Sequence, residues 1–209
     1  MSNVHYTASE ERLNVITHAL GFILSLVGSI FLLLRSEGTL QLVSSIVFGT
    51  SLLILYAAST LYHASKNQEQ RKKLRIFDHA AIYVLIAGTY TPICLITLNE
   101  SVGSYLLIAI WGVAAIGITL KLFFTGRFDR ISTAMYIAMG WLAIFAIEPL
   151  LELMSTSSLI WLLAGGVCYT VGAILYSIRS IPMNHATFHV FVLGGSGCHY
   201  LMIYLHVIG

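Results

Sequence analysis

Apolar residues fall along this chain in seven runs, each closed by a short polar break, at roughly 15–34, 41–63, 76–98, 102–123, 131–151, 158–178 and 185–207. Each run is about 20 residues, the length that carries a helix across about 30 Å of hydrocarbon. All seven are expected to be helices, because lipid satisfies no backbone polar groups. The first is not expected to be a signal peptide: Glu10 and Glu11 lead into it where a basic segment belongs, and no small-residue cleavage site follows. Pro92, closing Gly88-Thr89-Tyr90-Thr91-Pro92, is expected to kink the third helix, and Glu148-Pro149 to act similarly in the fifth. Gly194-Gly195-Ser196-Gly197 offers small surfaces for close helix packing in the seventh.

Composition agrees with the pattern. Of 209 residues 57% are apolar and only 10% charged, and the mean hydropathy is +0.85. A soluble chain needs far more charge to cover its surface. The expectation is an all-α integral membrane protein, with residues 1–209 forming a single seven-helix membrane domain.

Charge sets the orientation. Of the 11 Lys and Arg, all but Arg35 fall before the first run or around the second, fourth and sixth loops. By the positive-inside rule that face is cytoplasmic, so the N-terminus is expected inside and the C-terminus outside a cell membrane. The net charge of +2 suggests no nucleic-acid partner, and Arg71, Lys72, Lys73 and Arg75 suit anionic lipid headgroups. Cys94, Cys168 and Cys198 lie within the runs; an odd number there gives no disulfide framework, and core packing is their expected role.

Against this frame four polar residues stand out: His63, Asp78, His185 and His189. His63 ends the second run, Asp78 begins the third after a short basic loop, and His185 begins the seventh. All three therefore meet the cytoplasmic interface, with His189 one turn deeper, about 6 Å along the axis. At i, i+4 the last two project from one helix face. A histidine alone at a helix end is usually just interfacial, but three imidazoles and a carboxylate in one leaflet suit Zn²⁺ better than Ca²⁺ or Mg²⁺, which prefer oxygen shells. Intramembrane ionisable groups are costly and usually functional. Asp78 would either ligate the ion or act as a base through a water.

Other polar residues are placed around this set. Ser59, one turn before His63, either supports the site or is simply a small packing residue. His79 points about 100° away from Asp78 and is expected to be only a neighbour. Glu11, Asn14 and His18 share one face of the first helix, either beside the metal site or as an interhelical hydrogen-bond cluster. His199 lies on the face of His185 but roughly 21 Å further along, too far to share an ion, and with Ser196 would line a cavity toward the outer leaflet. His5 and His206 are expected to be solvated or interfacial.

With these residues in order, Glu11-x-x-Asn14-x-x-x-His18, Ser59-x-x-x-His63, Phe77-Asp78-His79, Gly88-Thr89-Tyr90-Thr91-Pro92 and His185-x-x-x-His189 followed by His199, the chain resembles the haemolysin III proteins. These are the bacterial branch of the progestin and adipoQ (adiponectin) receptor family. The resemblance covers essentially the whole chain. It implies seven helices with a cytoplasmic N-terminus in the bacterial cytoplasmic membrane. It also implies zinc on His63, His185 and His189, with Asp78 close by and Ser59 in support. The wider superfamily includes alkaline ceramidases, so hydrolysis of a membrane-lipid amide or ester is one expected function, and the family name associates it with cytolysis. Only a short segment precedes the first run, and the external loops, 36–40, 99–101 and 154–157, are short. No large protein hormone is therefore expected as a partner.

Three functions compete at this level. The leading one is a zinc-dependent hydrolase of a membrane lipid with Asp78 as base. The second is a sensor or regulator of membrane state in which zinc ties the second, third and seventh helices together. The third is a pore-forming haemolysin, which needs a continuous polar path.

Overall fold

In the computed structural model residues 7–125, 129–178 and 180–209 are described, and among them seven helical spans are long and apolar enough to cross a membrane. His5, Arg127 and Arg179 lie outside the described residues, as does the side chain of Arg130. No strand occurs among the described residues. The spans are α1 (Ala8–Arg35), α2 (Gly38–Ala64), α3 (Gln68–Pro92) with a π turn (Ile93–Thr97), and α4 (Gly103–Phe124). They continue with α5 (Asp129–Gly140), a 3-10 turn (Leu142–Ala146) and α6 (Ile147–Leu153), which together make the fifth span. Then come α7 (Thr156–Ser177) and α8 (Asn184–His206).

Neighbours in sequence are mostly neighbours in space. α1 packs on α2, α2 on α3, α3 on α4 and α7 on α8, while α1 also meets α8 and α5 meets both α3 and α7. α3 is the most enclosed span. Leu24, Ile30, Ile108, Phe123, Phe145 and Leu163 are exposed; such an apolar exterior is what a lipid-facing bundle requires.

Helix ends follow local chemistry rather than hydropathy. Thr7 caps α1 by accepting the Glu10 N–H at 3.2 Å, and Glu10 and Glu11 complement the positive end of its dipole. Asn67 Oδ1 accepts the N–H groups of Glu69 and Gln70 at 3.0 and 3.1 Å. This cap starts α3 at Gln68, eight residues ahead of the apolar run, so Arg71, Lys72, Lys73 and Arg75 sit on a helical extension and not in a loop. The apolar run marks where lipid begins; the cap marks where the helix begins.

The two proline sites behave differently. Pro92 offers no N–H, and α3 widens at once into the π turn, closed by Leu98 N–H donating to Ile93 O at 2.9 Å. In the fifth span the break lies upstream of Pro149, at Gly140-Trp141. Pro149 occupies the first turn of α6, where a missing N–H goes unused. The freed backbone is satisfied from another helix: Tyr90 Oη donates to Gly140 O at 2.7 Å and accepts the Ala143 N–H at 2.9 Å.

At the end of the bundle opposite His63, Arg35 Nε donates to Ile208 O at 2.8 Å. Its guanidinium lies 4.8 Å from the centre of the Tyr204 ring.

Candidate metal centre

α2 and α8 bring the histidines together. His63 arrives in the last turn of α2, and His185 and His189 in the first two turns of α8. All three are buried, at 4%, 5% and 1% exposure, so their polar atoms need partners. One ligand atom from each lies within 4.8 Å of the other two. The start of α8 is held hard: Met183 is left-handed (φ 55°) and Asn184 Nδ2 donates to Tyr176 O at 2.8 Å. A non-glycine residue in that conformation persists only where its surroundings fix it.

The α1 stripe orients these rings. Glu11 Oε2 lies 2.7 Å from His63 Nδ1. A carboxylate can only accept, so Nδ1 carries the proton and Nε2 is left with its lone pair. Arg71 pairs with the other Glu11 oxygen and lies 4.7 Å over the Tyr62 ring. His189 Nδ1 is 3.3 Å from the carbonyl of Asn14, which by the same logic frees its Nε2. Thr17 Oγ1 also lies 3.3 Å from that nitrogen. The Asn14 amide meets His63 Nδ1 through Nδ2 at 3.3 Å while its Oδ1 has no partner among the described residues. Turned over, it would present Oδ1 to the Nδ1–H, and hydrogen-bond logic favours that assignment. His18 stacks on His189 with centroids 3.5 Å apart and planes 8° from parallel.

The donor set fits a metal ion. With nitrogen ligands at about 2.0 Å, a tetrahedral site separates its ligand atoms by about 3.3 Å. His63 Nε2 and His185 Nε2 are 3.1 Å apart, close to that edge. Two basic nitrogens facing each other in a buried site repel unless a proton or a cation lies between them. Hydrogen bonds to the far ring nitrogen, as Glu11 and Asn14 make, are the usual support of histidine ligands.

Asp78 is buried and lines the same cavity as His185 and His189, but it does not belong to the compact three-histidine group. Its Oδ2 is 3.5 Å from Nδ1 of His79, whose N–H is directed to Arg75 O at 2.8 Å. His79 also lines the cavity, more than the neighbour its helix angle suggests. Ser59 is 1% exposed, lines the cavity, and its Oγ has no hydrogen-bond partner among the described residues. That cavity, about 140 Å³, extends from this cluster between α3, α5, α7 and α8 to Trp141, Thr170 and His199.

Two residues near the site escaped the sequence reading. Thr17 was not singled out, although it lies three residues after Asn14. Lys121 was counted as a loop charge, yet it is 2% exposed and lines the cavity. Its signal was present: Ile110, Ala114, Gly117 and Lys121 share the buried face of α4. His206 is exposed at the far end, as expected.

Comparison with known proteins gives a consistent result. The family described as "Haemolysin-III related" matches residues 6–200. "Hemolysin-3 homolog" of Bacillus subtilis (strain 168) is 41% identical over 206 residues, covering 97% of each chain. "Hemolysin-3" of Bacillus cereus is 44% identical over 211 residues, covering 100% of this chain and 96% of its own. More distantly, the human "Monocyte to macrophage differentiation factor" is 26% identical over 207 residues, covering 96% of this chain and 86% of its own.

Proposed function

The chain belongs to the haemolysin III family, a multi-pass membrane protein, and on that footing we propose that it is a zinc-dependent hydrolase of a membrane-lipid amide or ester. The observation that carries this reading is one juxtaposition. Three buried histidines have mutually close ligand atoms, and two of them, His185 and His189, line an apolar cavity with Asp78 and with Ser59, whose hydroxyl has no partner among the described residues.

His63, His185 and His189 would hold the ion. Bound there, zinc supplies Lewis acidity to a substrate carbonyl and to water. Glu11 and Asn14 keep the rings turned with Nε2 inward. Asp78 takes a proton from the attacking water and returns it to the leaving amine or alkoxide, so one carboxylate serves both halves of the reaction. Ser59 Oγ donates a hydrogen bond to the carbonyl oxygen as charge develops on it. The apolar walls, Ile82, Ile86, Phe188 and Val192 among them, exclude bulk water and accept the acyl chain. On the charge count of the loops, this end of the bundle faces the cytoplasm.

The test is fatty-acid release from a broad lipid panel by purified protein, wild type against Asp78→Asn. Metal-loaded wild type that releases no fatty acid would remove the enzymatic reading.

One observation favours a second reading. The three-histidine cluster joins α2 to α8, and its supports Glu11 and Asn14 lie on α1. An ion there would staple three helices and hold one arrangement of the bundle, as a non-enzymatic sensor or regulator of membrane state requires. The lytic reading attached to the relatives' names finds less support. It needs a continuous polar path, and beyond the histidine cluster the Tyr56 and Tyr169 hydroxyls are each tied to Ser196 Oγ at 2.8 Å.

A further inference from the structure

Far from the histidine cluster, another residue lining the cavity, His199, has a buried polar atom without a partner among the described residues. His199 Nε2 is 3.1 Å from the carbonyl oxygen of Leu162. A carbonyl only accepts, so Nε2 carries the proton and Nδ1 of the neutral ring is a bare acceptor. That Nδ1 is buried and has no hydrogen-bond partner among the described residues, in a side chain only 9% exposed that lines the cavity.

The other polar groups at this depth are already paired. Tyr169 Oη is bonded to Ser196 Oγ at 2.8 Å. Thr170 Oγ1 donates to Gly166 O at 2.7 Å and accepts the Trp141 Nε1–H at 3.0 Å. Tyr90 Oη both donates and accepts across the break in the fifth span. The imidazole is also locked in place. It packs on Gly165, where any side chain would collide with the ring, and lies 5.5 Å from the Tyr169 ring. A fixed acceptor, left unpaired in an apolar chamber, is costly unless a donor meets it.

We propose that His199 is a second recognition point of the cavity, accepting a hydrogen bond from a hydroxyl carried well down the acyl chain of the bound lipid. This rests on the reading that the cavity takes a lipid with its polar end at His63, His185 and His189. His199 is ten residues beyond His189 on α8, which places it about 15 Å further along the axis. A hydroxyl next to the carboxyl or amide group falls short of it; one in the second half of an eighteen-carbon chain reaches it. The recognised class is therefore a long-chain lipid hydroxylated far from its head.

Binding, not turnover, tests this. Full-length protein in detergent is titrated with octadecanoic, 2-hydroxyoctadecanoic and 12-hydroxyoctadecanoic acids. The expected result is about tenfold tighter binding of the 12-hydroxy acid than of the other two. His199→Phe, which keeps a ring but no acceptor, should erase that preference, and His199→Gln, which restores an acceptor, should keep part of it. Equal affinities in the wild type, as expected if only water meets Nδ1, overturn the proposal. So does a preference that survives in His199→Phe. Should that variant fail to fold, the three acids on wild type still decide. Binding of none of the acids would strike the lipid reading itself, whereas equal binding of all three strikes only the role of His199.

Discussion

Glu11 holds His63 from behind: its Oε2 lies 2.7 Å from the ring Nδ1, while its other oxygen pairs with Arg71. The contact fixes which nitrogen carries the proton and turns Nε2 toward His185. A residue 52 positions away in sequence thereby decides whether His63 is a ligand.

Glu11→Gln keeps the shape and loses the charge. It should weaken metal binding about 10- to 100-fold, the usual cost of removing such a support. Competition with a chelator of known affinity measures this. An unchanged affinity would make the Glu11–His63 pair merely a link between α1 and α2.

Asp78 separates the two functional readings. It lies outside the three-histidine group, so Asp78→Asn should retain metal. Hydrolysis, if Asp78 is the base, should fall by about 10²-fold or more. Full activity in that variant would assign the proton transfer elsewhere.

Removing the metal should loosen the bundle. Chelation is expected to lower the thermal midpoint of the wild type in detergent and to leave His185→Ala unmoved, since that variant has no complete site to lose. Equal shifts in both would trace the effect to the chelator.

The α1–α8 contact has its own test. A Cβ on Gly28 would meet Tyr200 Cε2 at 2.8 Å, and Tyr200 Oη donates to Gly28 O at 3.0 Å. Gly28→Val should cost about 1–3 kcal/mol through overpacking, read as a lower melting temperature at unchanged metal content.

Much of this arrangement was legible in the chain. Membrane thickness forces apolar runs of fixed length, so the seven spans could be counted, and the ends of those runs put His63, Asp78 and His185 at one interface. The stripe Glu11, Asn14, His18 could be assigned to one face of α1, but not to the histidine cluster, because which rings it meets depends on how α1 packs on α2 and α8. The break at Gly140 was invisible locally: it is stabilised by Tyr90, 50 residues earlier, while the more obvious Pro149 is harmless. The early start of α3 hid for the opposite reason, since Asn67 caps a polar turn that hydropathy passes over. Lys121 looked like a loop charge until its spacing from Gly117 and Ala114 was set on a helix face.

The central claim is that His63, His185 and His189 bind one metal ion, and the metal content of purified protein tests it most directly. Elemental analysis of wild type and His189→Ala in detergent should find about one zinc per chain in the first and little in the second. Wild type without metal, or His189→Ala carrying as much as wild type, would contradict it.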